Sequence, residues 1–281
     1  MEYKKMKEEH GFTLVELMVA VAILSLVLAG IYDMYINQIR AYVNQDRAIT
    51  MQQNAKGAMF ILEKEIRTMG CDPFGALYSV IVSPILQANA NSIQFTSDLT
   101  GGETDLIDND GDGNVDEPDE RRFSDGDVND LNENITYSLM DFDGNGITDL
   151  VRTDLNAPAP LNTPQLVAEN IELLNFIYYN NASPPVILDD TGTGTINPSP
   201  VGNMANIDSI QITLIARTAA IEERYDNTRV YEIDLPNGVV FAPDNNAARP
   251  GVQMFMRGAP NDDPRGDSRR MLITKRIKIR N

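Results

Sequence analysis

Hydrophobic and polar positions change their rhythm twice along the chain. From Phe12 to Tyr32 the run FTLVELMVAVAILSLVLAGIY is almost continuously apolar. About 20 such residues span a bilayer as one helix. From Asp33 to Met69 the pattern turns amphipathic. Ala55, Met59, Leu62 and Ile66 share one helical face, and Ile36, Ile39 and Val43 extend it upstream. No proline stands between Phe12 and Asp72. One helix of about 55 residues is therefore expected, about 80 Å long at the α-helical rise. Gly70, Pro73 and Gly75 supply its stop, and Gly57 is a place for a bend. A coiled-coil stalk is the weaker explanation of this length, because no heptad persists across Gln45 to Gln53.

Beyond Gly70 the rhythm becomes period two. Ile93 and Phe95 alternate with polar residues, as do Ile135, Tyr137 and Leu139, and Tyr231, Ile233 and Leu235. IDSIQITLIART (207–218) alternates through Ile210, Ile212, Leu214 and Ala216, and the tail through Ile277 and Ile279. Ile171 to Tyr179 fits a strand better than a helix. Such alternation implies one buried and one wet face, hence antiparallel sheet. Asn, Gly, Pro and Asp clusters at 156–164, 181–206 and 243–268 are loops. The fold expected is α+β: a long N-terminal helix packed on an antiparallel β-sheet with long loops.

Charge narrows the function classes. The 281 residues carry a net charge of −18. A chain of that sign repels nucleic acid, so no nucleic-acid partner is expected. Most of the charge sits in one stretch. Asp98 to Asp154 holds 18 Asp or Glu against 3 Arg, a local net of −15. The tail reverses sign with Arg269, Arg270, Lys275, Arg276, Lys278 and Arg280. One cysteine, Cys71, permits no internal disulfide, and one histidine, His10, leaves little for His- or Cys-based catalysis. We expect a chain that is not an enzyme.

Lys4, Lys5 and Lys7 precede the apolar run and orient the short N-terminus toward the cytoplasm. A secretory signal would need a small-residue cleavage site after the apolar core, and Ala29-Gly30 is a poor one. A plain signal anchor leaves Glu16 unexplained. A carboxylate inside a spanning helix costs about 2.5–3.5 kcal/mol at the centre, less near the interface, and such a residue usually has a partner. Snorkelling to the headgroups is the alternative for Glu16.

The string GFTLVELMVAVAIL (11–24) resembles the prepilin motif of type IV pilins and type II secretion pseudopilins. The resemblance implies cleavage between Gly11 and Phe12 by a membrane prepilin peptidase, methylation of the Phe12 amine, and an assembly role for Glu16. It implies a leader at 1–11, a transmembrane segment at 12–32, an amphipathic continuation at 33–69 and a β-rich body at 70–281 outside the inner membrane. A freed Phe12 amine and the Glu16 carboxylate of a neighbouring subunit would lower each other's desolvation cost and set helix register. LEKEIRTMGCDPFG (62–75), IDSIQITLIART (207–218) and KRIKIRN (275–281) resemble, in order, blocks of the PilW minor pilins, relatives of J-type minor pseudopilins. Partners implied are the major pilin, other minor pilins, the prepilin peptidase and the inner-membrane assembly platform, and the destination is a pilus or pseudopilus.

Within the acidic region 105–150, DNDGDGNVDEPDE (108–120) sets Asp108, Asp110, Asp112, Asn114 and Asp116 on alternate positions around Gly113. Hard oxygens at that spacing suit Ca²⁺ in an EF-hand-like loop. Where such a loop has a bidentate Glu, this chain has Asp119 followed by Glu120, and no helical pattern flanks it. DFDGNGITD (141–149) repeats the offsets with Asp141, Asp143, Asn145 and Asp149 around Gly146. A solvated acidic loop is the bland alternative. Bound Ca²⁺ would order the loop by offsetting its closure entropy. Three functions compete: a minor pilin that primes a pilus, a type II secretion minor pseudopilin, and a pilin-anchored Ca²⁺-dependent adhesin or exported hydrolase.

Overall fold

The computed structural model describes residues 12–72, 83–103, 105–188, 204–219, 231–232, 240–241 and 269–279. Gly11 with the rest of the leader, Pro73, Gly75, Ile233, Leu235, Arg280, the 243–268 loop and most of 181–206 lie outside those residues. The chain divides into two units, residues 1–47 and 48–281.

Helix α1 runs Leu14–Thr68, 55 residues, as the absence of proline requires. In the first unit its large apolar side chains from Leu14 to Val43 are exposed, apart from half-buried Ile36. The helix is long and apolar enough there to cross a membrane. Its end is set locally. Gly70 takes a left-handed φ of 69°, a conformation that costs a residue without Cβ little. The Gly70 N–H then donates to Thr96 O at 3.0 Å, and Asp98 N–H donates to Cys71 O at 2.8 Å, tying the helix end to the following strand.

In the second unit the body contains strands β1 (Ile85–Ala88), β2 (Ile93–Thr96), β3 (Asn134–Met140), β4 (Asp149–Asp154), β5 (Gln165–Ala168), β6 (Ile171–Tyr179), β7 (Ser209–Arg217), β8 (Tyr231–Glu232), β9 (Val240–Phe241) and β10 (Arg270–Lys278). They form an antiparallel five-stranded sheet, β1-β2-β3-β4-β5, a three-stranded sheet, β10-β7-β6, and the β8-β9 pair. Helix residues Met51, Ala55, Ala58, Met59, Leu62 and Ile66 are buried in one core with Ile93, Phe95, Ile135, Tyr137, Ile210, Ile212 and Leu214. Polar links hold the helix in register. Glu65 accepts a hydrogen bond from the Tyr137 hydroxyl at 2.8 Å and pairs with Arg152 at 3.0 Å. Glu63 pairs with Arg67 and with Lys275 of β10.

The expected wet face is found in part. At the end of β10 the alternation holds, with Ile277 and, just past the strand, Ile279 buried and Lys278 exposed, whereas Thr274, Lys275 and Arg276 are exposed in succession. On β6 and β7 all nine residues of each strand are buried. β7 is the central strand of its sheet, so both its edges are paired. One of its faces enters the core with the helix. The other holds a second cluster of Leu173, Ile177, Tyr179 and Ile215, against which Ile187 and Leu272 pack. Polar side chains on that face are enclosed too, including the Glu172–Arg270 ion pair at 2.6 Å, with side chains 3% and 1% exposed. Alternation records chemical character. It does not record whether a second layer covers the polar face.

Candidate assembly helix and acidic loops

Thr13 and Glu16 form a capping box at the start of α1. Thr13 Oγ1 accepts from Glu16 N–H at 3.3 Å, and Glu16 Oε2 accepts from Thr13 N–H at 2.8 Å and from Thr13 Oγ1 at 2.9 Å. Leu17 N–H donates to Thr13 O at 3.2 Å, the first intrahelical bond. Two orphan donors of the helix terminus are thus satisfied. The signature, Thr-x-x-Glu ahead of an apolar run, was legible in the sequence and was not used there. Phe12 stands exposed one residue before the cap. Gly11 lies outside the described residues.

The acidic region gathers three carboxylate groups, each within 4.8 Å: Asp108, Asp110 and Asp112; Asp125, Asp127 and Asp130; Asp141, Asp143 and Asp149. In the first, Asp108 Oδ1 accepts from Gly111 N–H at 2.6 Å and Asp112 N–H at 3.1 Å, and Oδ2 from Gly113 N–H at 2.9 Å. Asn114 N–H donates to Asp112 Oδ1 at 2.9 Å. Gly111 and Gly113 supply the positive φ these turns need, 79° and 100°. The two remaining expected ligands stand outside the carboxylate group. Asp116 Oδ1 is bonded to Leu106 N–H at 2.8 Å. Asp119 precedes a short 3₁₀ turn at Glu120–Arg122. It is the next residue, Glu120, that is buried under the loop, accepting from Asn109 N–H at 2.6 Å and Glu117 N–H at 3.0 Å. Glu117 Oε2 is a buried oxygen with no hydrogen-bond partner. Burial, then the charges of Asp112, Asp119, Glu120 and Asp110, push the Glu117 carboxyl above its usual range.

In the repeat, Asp141 Oδ2 accepts from Gly146 N–H at 3.0 Å, Asn145 Oδ1 accepts from Ile147 N–H at 2.7 Å, and buried Asp149 accepts from Phe142 N–H at 3.1 Å and Asn170 N–H at 2.8 Å. The group at 125–130 was missed. Its signal was the same alternation, Asp125-Gly-Asp127-Val-Asn129. It rests on two fully buried acids. Asp98 accepts from Asp125 and Gly126 N–H, and burial pushes its carboxyl up to about 7. Glu133, raised by burial, accepts from the N–H groups of Leu99, Thr100 and Asp130. Gly101, at φ 107°, leaves no room for a Cβ, which would stand 2.1 Å from Asp130 Oδ2.

The family described as the prokaryotic N-terminal methylation motif matches residues 6–32. No curated protein matches the chain. Among solved structures, a type IV-like pilin from Thermus thermophilus is 13% identical at a TM-score of 0.37, over 81% of this chain and 96% of that one. The methylation motif thus runs into an exposed, apolar, proline-free helix, and what the comparisons show of this chain is a prepilin-type N-terminus.

Proposed function

We propose that the chain is a minor subunit of a type IV pilus that primes or assembles the filament, a structural protein rather than an enzyme. It enters the inner membrane with its N-terminus cytoplasmic and its body periplasmic, is cut between Gly11 and Phe12, and passes into the filament. The carrying observation is the methylation motif at 6–32 continuous with the exposed apolar face of α1. The Phe12 amine of one subunit and the Glu16 carboxylate of the next are the charges that pair within hydrocarbon, since each otherwise stands desolvated. Its partners on this reading are the major pilin, other minor pilins, the prepilin peptidase and the assembly platform. Mass spectrometry of the protein from fibres tests this: a mature chain beginning at methylated Phe12 supports it. A chain retaining residues 1–11, or a Glu16→Ala variant that enters fibres normally, refutes it.

We further infer that the acidic loops bind Ca²⁺. Asp108, Asp110 and Asp112 with Asn114 would hold one ion, and Asp141, Asp143, Asn145 and Asp149 a second. The donor set is all hard oxygen, and the orphaned buried Glu117 Oε2 beside the first loop is a position for which a cation would compensate. Asp116, bonded to Leu106, and Asp119, outside the carboxylate group, fit this role less well. Bound Ca²⁺ supplies charge neutralisation and loop ordering, and the residues supply oxygens pre-set by their turns.

A further inference from the structure

We propose that two surfaces of the body bind one another between copies of this chain: an apolar knuckle at Leu106 on one copy and the outward stripe of α1 around Phe60 on the next. This deepens the assembly reading above, which it takes as its starting point.

The knuckle is an exposed apolar feature held in an unfavourable conformation. Leu106 has φ 63°, a region β-carbon-bearing residues avoid, and its side chain is 79% exposed. Two bonds fix it: Leu106 N–H to Asp116 Oδ1 and Ile107 N–H to Asp105 Oδ1, both 2.8 Å. Ile107 and, next to Asp116, Val115 are exposed as well. Nothing in the fold of the body needs a leucine there, since the side chain buries little. The surrounding carboxylates require of any partner a basic rim about an apolar centre.

The chain itself carries such a surface. On α1, Ile49, Lys56, Phe60, Lys64 and Arg67 recur at helical spacing on one exposed face. Phe60 is 66% exposed. Arg67 is paired with Glu63, but Lys56 and Lys64 have no ion-pair partner among the described residues, in a chain of net charge −18. Between them lies Gly57, a poor helix former, and a Cβ added there would meet nothing within 4 Å. Among the described residues no contact accounts for that glycine. A side chain arriving from outside does, because it can approach the helix backbone closely at that point. Acid-rimmed knuckle and base-rimmed stripe are complementary in charge and both apolar at the centre. Because the two patches differ, the contact is head-to-tail.

The test uses full-length protein in detergent micelles, with Cys71→Ser throughout. Leu106→Cys protein is mixed with Phe60→Cys protein and oxidised. The expected product is the mixed disulfide dimer, with no dimer when Leu161→Cys, on another exposed loop, replaces Leu106→Cys. Lys56→Glu with Lys64→Glu in the Phe60→Cys partner should lower the yield about tenfold, and Gly57→Leu should lower it too. Dimer formation should persist with Glu16→Ala, which separates this contact from the membrane pairing. The absence of mixed dimer, equal yield from Leu161→Cys, or insensitivity to the lysine reversals overturns the proposal.

Discussion

Replacing Glu65 by alanine tests whether the helix is held on the sheets by directed polar contacts or by apolar burial alone. Tyr137 is fully buried, and burial, then the Glu65 carboxylate, raise its phenol well above the usual value. The hydroxyl therefore stays a donor whose acceptor is Glu65 Oε2. Alanine leaves that donor orphaned, at about 1–3 kcal/mol. It also removes the partner of Arg152, whose side chain is 13% exposed. Solvent and the Asn132 Oδ1 acceptor at 2.8 Å soften that second loss to about 1 kcal/mol. The sum is about 2–4 kcal/mol, or a fall in Tm of about 5–15 °C for a body of this size. The chain has 10 Tyr and no Trp, so near-UV circular dichroism on a thermal scan of the full chain in detergent reports tyrosine packing. Tyr137→Phe removes the orphan, so the double variant should be more stable than the two single losses added together, by about 1 kcal/mol. A Tm change under about 2 °C for Glu65→Ala, or strict additivity, would refute the reasoning.

Three further outcomes are expected. Calorimetric titration with Ca²⁺ should show binding in the about 10⁻⁴–10⁻³ M range of extracellular sites; Asp108→Asn with Asp110→Asn should abolish one of two sites, and a chain silent to Ca²⁺ contradicts the cation reading. Gly57→Ala should stabilise the body by about 0.5–1 kcal/mol, since the added methyl meets nothing; a loss in denaturant midpoint would mean an unseen constraint. Leu106→Gly should raise stability by up to about 1 kcal/mol, because relief of about 1–2 kcal/mol of left-handed strain at φ 63° outweighs the about 0.4–1 kcal/mol that glycine adds to the entropy of the unfolded chain; a fall in midpoint would mean the turn is not strained.

The helix was legible nearly to its ends. Freedom from proline set its length, Gly70 its stop, and the spacing Ala55, Met59, Leu62, Ile66 its buried face, because each depends on local chemistry alone. The strands were legible as types for the same reason. Their division into two sheets was not, since pairing partners such as Asn175 with Thr213, or Thr274 with Thr213, lie far apart in sequence. Nor could Asp116 be assigned. Its spacing fits a metal loop, but the turn that brings Leu106 N–H onto its Oδ1 is set by the backbone and is not announced by the spacing. Asp98 shows the same limit: nothing in its neighbours announces full burial beneath a later loop.

At Glu16 the observed cap and the proposed pairing with a neighbouring subunit are compatible. Both Thr13 bonds fall on Oε2, so Oε1 has no hydrogen bond among the described residues. A carboxylate has about four acceptor positions. The cap can thus hold the side chain while a neighbour's amine binds the other oxygen, with no bond exchanged on assembly. Charge and capping are separable by substitution. Glu16→Gln keeps a capping box, since glutamine serves at that position, but removes the charge. Thr13→Ala keeps the charge and costs the cap about 1 kcal/mol. If charge pairing guides assembly, Glu16→Gln fails to enter fibres while Thr13→Ala enters at reduced yield. The reverse ranking would mean that Glu16 serves the helix end and that subunit register is set elsewhere.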